Sequence, residues 1–421
     1  MVDAAASPPK ARRVGILIDG FVCLAGAADF LTSLVDAMSQ TADGREIVLL
    51  MRLKPWRRLV RGIGASAIKL AKDVAKRRRP ELPPLPGDPQ AVVERMVREG
   101  LRRLPLYTAP ASDAALERLC LREGIDVVMP THYALTRYRL PWVGYIYDFQ
   151  HRYYPHFFAP RVRRLRDRQF EDMLRYPSTV IVNARQVKLD AERFHTPKAK
   201  IVPLPFSASP DPRWFKADPQ AVRVGYGIGR RYFMISNQFW LHKRHEVAIE
   251  AFLRMAKHRD DVELVCTGAT DDSRAPDHFA RLQTMIAASE AAPRIHILGL
   301  IPKQDQIALL RGCLAVVQPT AFEGGPGGGC VFDAVAFGIR SIVSDLPVNR
   351  EIEEYVTEYF PLDDVEALEA VMMRVADMPA PVQAGVDELI SRGSERRAAM
   401  GRALWNAADH AVAAHARKRR R

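Results

Sequence analysis

The stretch LAVVQPTAFEGGPGGGCVFDAVAFG, residues 314–338, reads as a buried strand, a glycine loop and the start of a helix. Five glycines and one proline fill the six positions from Gly324 to Gly329. Such a run cannot form the interior of a helix or a strand. Glycine leaves the backbone open to close approach, and amides gathered at a helix start present several N–H groups to one anion. Glu323 before the run and Asp333 after it can accept hydrogen bonds from hydroxyl groups. A ligand carrying both phosphate and sugar would use both features. The plainer reading is a flexible loop followed by an acid that the helix dipole favours. The run is neither a Walker A loop nor a dinucleotide GxGxxG, since no Lys-Ser/Thr follows it.

The strand–loop–helix unit is repeated along the chain. Short apolar runs recur as VGILI (14–18), IVLLM (47–51), VVM (127–129), VGYIY (143–147) and VIV (180–182). They continue as YFMIS (232–236), VELVC (262–266), IHILG (295–299), LAVVQ (314–318) and SIVS (341–344). Segments of helical period lie between many of them. In HEVAIEAFLRMA (245–256), Val247, Ala248, Ala251, Phe252 and Met255 share one face. Apolar runs bounded by helices suit parallel strands covered on both faces. The class is therefore α/β, with two doubly wound domains in 421 residues.

The expected division is a first domain over 1–205 with a basic insertion at about 52–105, then a linker at 206–225. A second domain follows over 226–393, with a C-terminal helix and basic tail over 394–421. Five prolines in PLPFSASPDPRWFKADPQ (203–220) are expected to stop helix and strand there. Arg417 to Arg421 read as a frayed, solvated end. In this architecture ligands sit in a cleft at the C-terminal ends of the strands.

The chain holds 62 basic and 49 acidic residues, a balance of +13, which favours an anionic partner. The five scattered cysteines, with no CxxC pair, fit a reducing cytosol rather than a disulfide framework. The N-terminus has no apolar core for a signal peptide, and no run is long enough to span a bilayer. A cytoplasmic protein, peripheral on the inner face of the plasma membrane, is expected. The basic segment 52–79 is the candidate membrane contact. Within it Ala67, Leu70, Ala71 and Val74 share one helical face, and Lys69, Lys72, Lys76 and Arg79 the opposite one. A solvated helix packed on its own domain is the alternative. Nucleic acid is not expected, because no aromatics interleave with the charges.

Two further stretches carry candidate chemistry. SNQFWLHKRHEVAIEAF (236–252) ends a strand and starts a helix, with His242, Lys243, Arg244 and His245 crowded at the turn. A lysine there can neutralise a departing diphosphate, and an arginine can assist. Solvated charges at a helix start are the plainer reading. YIYDFQHRYYPHFF (145–158) ends a strand in Asp148, Gln150 and His151, polar groups that would face the cleft. The loop DGFVCLAGAADF (19–30), with Gly20 and Gly26, is a candidate lining of an acceptor site or a plain turn. The chain has no DxD, so no metal is expected.

The HKxH-type helix start, the PxxFEG entry (Pro319, Phe322, Glu323, Gly324) and the AxxxGxxxIxSDxPxxRE exit (Ala334 to Glu351) resemble the retaining, nucleotide-sugar-dependent glycosyltransferases of family 4. The resemblance covers about 230–355 and is weaker before it. It implies a GT-B fold of two Rossmann-like domains, with the donor held mainly by the second. It implies Lys243 against the diphosphate and a base site near Gly299, Leu300 and Ile301. It implies Glu323 on the donor sugar and the glycines Gly324, Gly325, Gly327, Gly328 and Gly329 around the diphosphate. Asn237 and Gln238 line the same donor turn. Gln238 stands where relatives often carry an arginine, which leaves Arg244 as the substitute. Asp333 takes the ribose place of the family's second glutamate, after nine intervening residues instead of seven. Where many relatives carry a His-Asp pair, Tyr147 and Asp148 stand, so the histidine role passes to His151.

The expected catalytic set is thus Lys243, Glu323, His151 and Asp148, with Gly20, Gly26, Gln150 and His151 on the acceptor side. The expected activity is transfer of a sugar from a nucleoside-diphosphate sugar to a hydroxyl of a glycan or lipid-linked acceptor. No cofactor is expected beyond that co-substrate. A same-fold epimerase or phosphorylase and a non-catalytic nucleotide-sugar-binding protein are the alternatives.

Overall fold

The computed structural model describes residues 10–19, 21, 27–53, 101, 104–272, 274–379 and 384–420. Gly20, Gly26 and all but the first two residues of the basic segment 52–79 lie outside the described residues.

Two parallel sheets carry the architecture. The first holds β1 (Arg13–Leu17), β2 (Glu46–Leu53), β3 (Leu106–Pro110), β4 (Val127–Thr131), β5 (Trp142–Ile146), β6 (Thr179–Val182) and β7 (Lys200–Pro203). Their spatial order is β3-β2-β1-β4-β5-β6-β7. The second holds β8 (Arg231–Ser236), β9 (Val262–Thr267), β10 (Ile295–Gly299), β11 (Val316–Gln318), β12 (Ser341–Ser344) and β13 (Glu358–Phe360), in the order β10-β9-β8-β11-β12-β13. Every pairing is parallel, as in β1 beside β2 (Ile16 opposite Leu49) and β8 beside β9 (Met234 opposite Val265). The order reverses between β1 and β4 and between β8 and β11. A crevice opens at such a reversal, outside the carboxyl ends of the strands.

The central strands are apolar throughout because helices cover both faces; β4, β5, β6, β9 and β12 are buried at every residue. Val14, Ile16, Leu49 and Met129 join one core cluster of the first sheet. Phe233, Ile235, Leu264 and Val317 join one of the second.

The segment between the sheets departs from expectation. Two of its five prolines start helices, while Pro203 ends β7 as expected. Pro212 opens a 3-10 turn after Asp211, whose carboxylate accepts from the Arg213 N–H. Pro219 opens the helix Pro219–Gly225 after Asp218, which accepts from the Gln220 N–H. Proline at a first helical position gives up an N–H that has no partner there anyway. Arg311 on the helix Lys303–Gly312 binds the Ala217 carbonyl at 2.9 Å, which ties this segment to the second sheet.

The C-terminal end also differs from a helix with a frayed tail. One helix runs from Val386 to Arg420 and returns to the first sheet. Met400, Leu404, Trp405, Ala407, Ala408 and Ala411 enter the core around β1 and the helix Ala27–Gln40. Trp405 donates its indole N–H to the Met38 carbonyl at 3.0 Å. Gly401 permits the approach, since a Cβ there would stand 2.1 Å from the Ala37 carbonyl oxygen.

Candidate active site

The site lies where β8 and β11 end. The 3-10 turn Leu241–Lys243 is tied to the exit of β11. The His242 carbonyl accepts from the Ala321 N–H at 2.8 Å and from the Thr320 hydroxyl at 3.3 Å. This fastening sets Lys243 over Glu323, with Nζ to Oε1 at 2.5 Å. The two side chains are 11% and 10% exposed, so the pair is largely covered. Gln318 donates to the same Glu323 oxygen at 2.6 Å, and Asn237 donates to Gln318 behind it. A polar chain, Asn237–Gln318–Glu323–Lys243, therefore runs out from under the sheet. Asn237, an expected donor-side residue, is the buried root of this chain.

The glycine run has three different tasks. At Gly324 a Cβ would lie 2.6 Å from the Tyr147 carbonyl oxygen and 2.9 Å from Asp148 Cβ, both on the first sheet's side. At Gly328 a Cβ would meet Glu323 at 2.8 Å and Gln318 at 2.9 Å. Gly327 and Gly328 adopt left-handed backbone, φ +66° and +62°, at the start of the helix Gly328–Ala336. The expected cradle of amides is smaller than the run. The Gly327 N–H is held by Asn349 Oδ1 at 2.8 Å and the Gly328 N–H turns to the Gly325 carbonyl.

Asp333 sits in the helix Gly328–Ala336, buried and paired with Lys303 Nζ at 2.6 Å. Burial raises its carboxyl above the usual range and Lys303 opposes that rise. A ribose at this place would share Asp333 with Lys303. Lys303 follows the loop Gly299, Leu300, Ile301. Gly299 is left-handed (φ +65°), and Leu300 is 78% exposed, an apolar surface beside Asp333's partner.

Arg244, the expected second charge of the donor turn, is paired with two acids. Its guanidinium is engaged by Asp363 at 3.0 Å and Glu246 at 3.3 Å. Gln238 lends its carbonyl to the Trp240 N–H.

On the first sheet's side, Asp148, Gln150 and His151 were expected to face the cleft. Asp148 instead accepts from the Gln150 N–H at 2.9 Å and from Arg166 at 2.8 Å. Gln150 and His151 are buried in the short helix Gln150–Tyr153. The His151 ring lies among Phe149, Phe158 and Phe170, and its Nε2 is 2.8 Å from Asp167. That ring packs within the segment, and its Nδ1 is buried without a partner.

A second histidine with an unpartnered ring nitrogen lies at the end of β4. His132 follows β4 at the strand-order reversal and packs on Phe21 at 4.1 Å, on Tyr145 and on Tyr147. Its Nε2 is buried without a partner. Such a nitrogen lacks a hydrogen bond that a ligand hydroxyl can provide. The sequence signal was VVMPTHY (127–133), an apolar run ending in polar groups, the same pattern that singled out 145–158. Near the described edge of the Gly20 loop, Arg52 joins Asp19 at 3.1 Å and Asp113 at 3.0 Å, and Asp19 Oδ1 is unpartnered.

Three histidines are held neutral by burial. His132 is pushed down to about 4, and His242 and His245 each to about 3. Unfolding restores their ordinary value near 6.5, so the unfolded chain binds more protons below that pH. The stability they confer is complete above about 6.5 and is lost as pH falls toward 3. Thermal melting should therefore show Tm dropping steadily from pH 6.5 to pH 4.5; a flat Tm across that window would contradict the assignment.

Residues 224–379 match the family model of glycosyl transferases group 1. Among solved structures the whole chain resembles Anabaena HepE in complex with UDP and glucose, at 12% identity and a TM-score of 0.57, covering 93% of this chain and 94% of that one. It resembles sucrose-phosphate synthase from Thermosynechococcus elongatus at 14% identity and a TM-score of 0.56, covering 97% and 98%. It also resembles the lipopolysaccharide outer core galactosyltransferase WaaB in its apo form, at 11% identity and a TM-score of 0.54, covering 94% and 98%. No curated protein matches the chain. The fold is GT-B, two facing Rossmann-like α/β domains, and the match to group 1 glycosyl transferases falls on the half that carries Lys243 and Glu323.

Proposed function

We propose that the protein is a retaining glycosyltransferase that moves a hexose from a nucleoside-diphosphate sugar to a hydroxyl acceptor. The observation that carries the reading is the Lys243–Glu323 pair at the strand ends of a glycosyl transferases group 1 match, with Gly324 pressed against the opposite domain. HepE binds UDP and glucose in a chain of the same fold, which supports a nucleotide-sugar donor here.

Without donor, Lys243 and Glu323 neutralise each other. With donor, Lys243 turns to the diphosphate and Glu323 to the sugar hydroxyls, so each charge meets its partner inside a covered site. The bond from the anomeric carbon to the diphosphate oxygen breaks, and the acceptor oxygen bonds to that carbon on the same face. The acceptor proton passes to the departing phosphate oxygen, so no carboxylate base is needed and the configuration is kept. No metal enters this scheme; the charge is met by Lys243 and backbone amides. The basic balance supports an acceptor at an anionic membrane, as in assembly of bacterial surface polysaccharide or glycolipid, with the protein peripheral on the cytoplasmic face and the segment 52–79 contributing. Among the described residues no helix is long and apolar enough to cross a membrane.

Slow hydrolysis of a panel of nucleotide sugars, followed by NMR of the released anomer, tests the reading. Release of the sugar with the donor's own configuration is expected. No hydrolysis of any donor would leave a binding protein, and inversion would exclude the retaining scheme. In the same assay His132→Ala is expected to lower turnover about 10–100-fold, the loss of a hydrogen bond made in the transition state. His151→Asn should lower Tm with little change in turnover per folded molecule; the reverse pattern would return the role to His151.

A further inference from the structure

The helix Pro160–Arg175, PRVRRLRDRQFEDMLR, has an outer face that its own domain does not use. Phe170, Met173 and Leu174 are buried on the inner side. Arg161, Arg164, Arg168 and Arg175 recur at spacings of three, four and seven on the opposite side, and all four are exposed. Among the described residues none of the four forms an ion pair. Between them stand Leu165, 65% exposed, and Val162, 43% exposed. The acids of this face, Glu171 and Asp172, lie toward its C-terminal end, while Asp167 is turned inward to His151 and Arg152.

Local stability does not explain this arrangement. The first turn carries no acid and several arginines, so the charges oppose the helix dipole. Exposed Leu165 adds no packing. Past the helix end Tyr176 lines a groove with Leu121, Arg139, Lys418, Arg419 and one acid, Glu117. Basic side chains around exposed aliphatic ones match the headgroups and upper acyl region of an anionic bilayer. Nucleic acid fits less well, since Leu165 and Val162 stand among the arginines and Tyr176, past the helix end, is the one exposed ring that the described residues of this surface offer for base stacking.

The helix also begins at the cleft rim. Phe157, three residues before it, lies 6.1 Å from His242 and under Arg274 at 5.4 Å. We propose that the outer face of Pro160–Arg175 docks on an anionic lipid surface and so presents the cleft rim to acceptors embedded there. The second half of this statement rests on the glycosyl-transfer reading; the docking does not.

Co-sedimentation with phosphatidylcholine vesicles, with and without phosphatidylglycerol, tests the docking on the full chain. Wild type is expected to bind only the anionic vesicles, with affinity falling as salt rises. Arg164→Glu/Arg168→Glu should weaken that binding about tenfold or more, and Leu165→Gln should weaken it by a smaller factor. Both variants should keep wild-type Tm and donor hydrolysis. Undiminished vesicle binding by Arg164→Glu/Arg168→Glu overturns the proposal, as does equal binding to neutral vesicles. Loss of binding in Lys69→Glu/Lys72→Glu alone would move the contact to the segment 52–79. Tighter binding to a DNA duplex than to anionic vesicles, removed by the same helix substitutions, would replace the bilayer by nucleic acid. Donor hydrolysis by wild type tests the glycosyl-transfer reading separately, so either idea can fail alone.

Discussion

Lys243→Ala is expected to lower turnover by roughly 10²–10³-fold, the usual loss when one preorganised group on a developing charge is removed. The loss should appear in kcat at saturating donor, because the diphosphate gains its full charge only as the bond to the sugar breaks. Stability should change much less. Glu323 would keep its hydrogen bond from Gln318 at 2.6 Å and would gain water in the opened cleft, so about 1–3 kcal/mol is the expected cost. Glu323→Gln separates the two roles. It keeps the size and a hydrogen-bonding oxygen while freeing Lys243 of its partner, so weaker donor discrimination is expected with Lys243 still active. Turnover within about twofold of wild type in Lys243→Ala would remove this residue from the mechanism.

Trp405→Ala should have the largest effect on stability, about 3–5 kcal/mol. The ring is 1% exposed, its N–H serves the Met38 carbonyl, and the Arg45 guanidinium lies 3.9 Å above it. The substitution leaves a cavity, an unserved carbonyl and an arginine without its ring. Denaturant unfolding measures the total cost. Hydrogen exchange locates it: protection should fall in 27–40 and in β5 and β6, which pack against the C-terminal helix, before it falls in β8 and β9. Equal loss in both sheets would mean that the two halves unfold as one unit.

The central strands were legible in the sequence because burial on both faces leaves a continuous apolar run. The strands it did not reveal are β3, β7 and β13, all at sheet edges. An edge strand is covered on fewer sides and needs no such run: LYTAP in β3 alternates in burial, and β3 and β7 each end in proline. The donor turn was legible for a related reason. Lys243, Glu323 and the glycines lie on two adjacent strand–helix turns, and each turn has its own local pattern. The first sheet's contribution was harder to read. Asp148 sits at the strand end beside Gly324 as expected, while His151 pairs with Asp167 and lies inward, and no spacing in 145–158 announces that partner from another helix. His132 escaped notice although the same rule applies to it. Arg244 was placed correctly on the turn, but Asp363, 119 positions away, decides where its charge goes.

The return of the last helix to the first sheet bears on how the chain is made. Met400 to Ala411 complete the core that β1, β2 and β4 begin. During synthesis those strands leave the ribosome hundreds of residues before the segment that covers them, while the second sheet can close as soon as 360 or so is out. The half that is translated first is thus expected to mature last, with an apolar surface around Met38 waiting for Trp405. A chain released after residue 385 should hold a folded second sheet and a protease-sensitive first one.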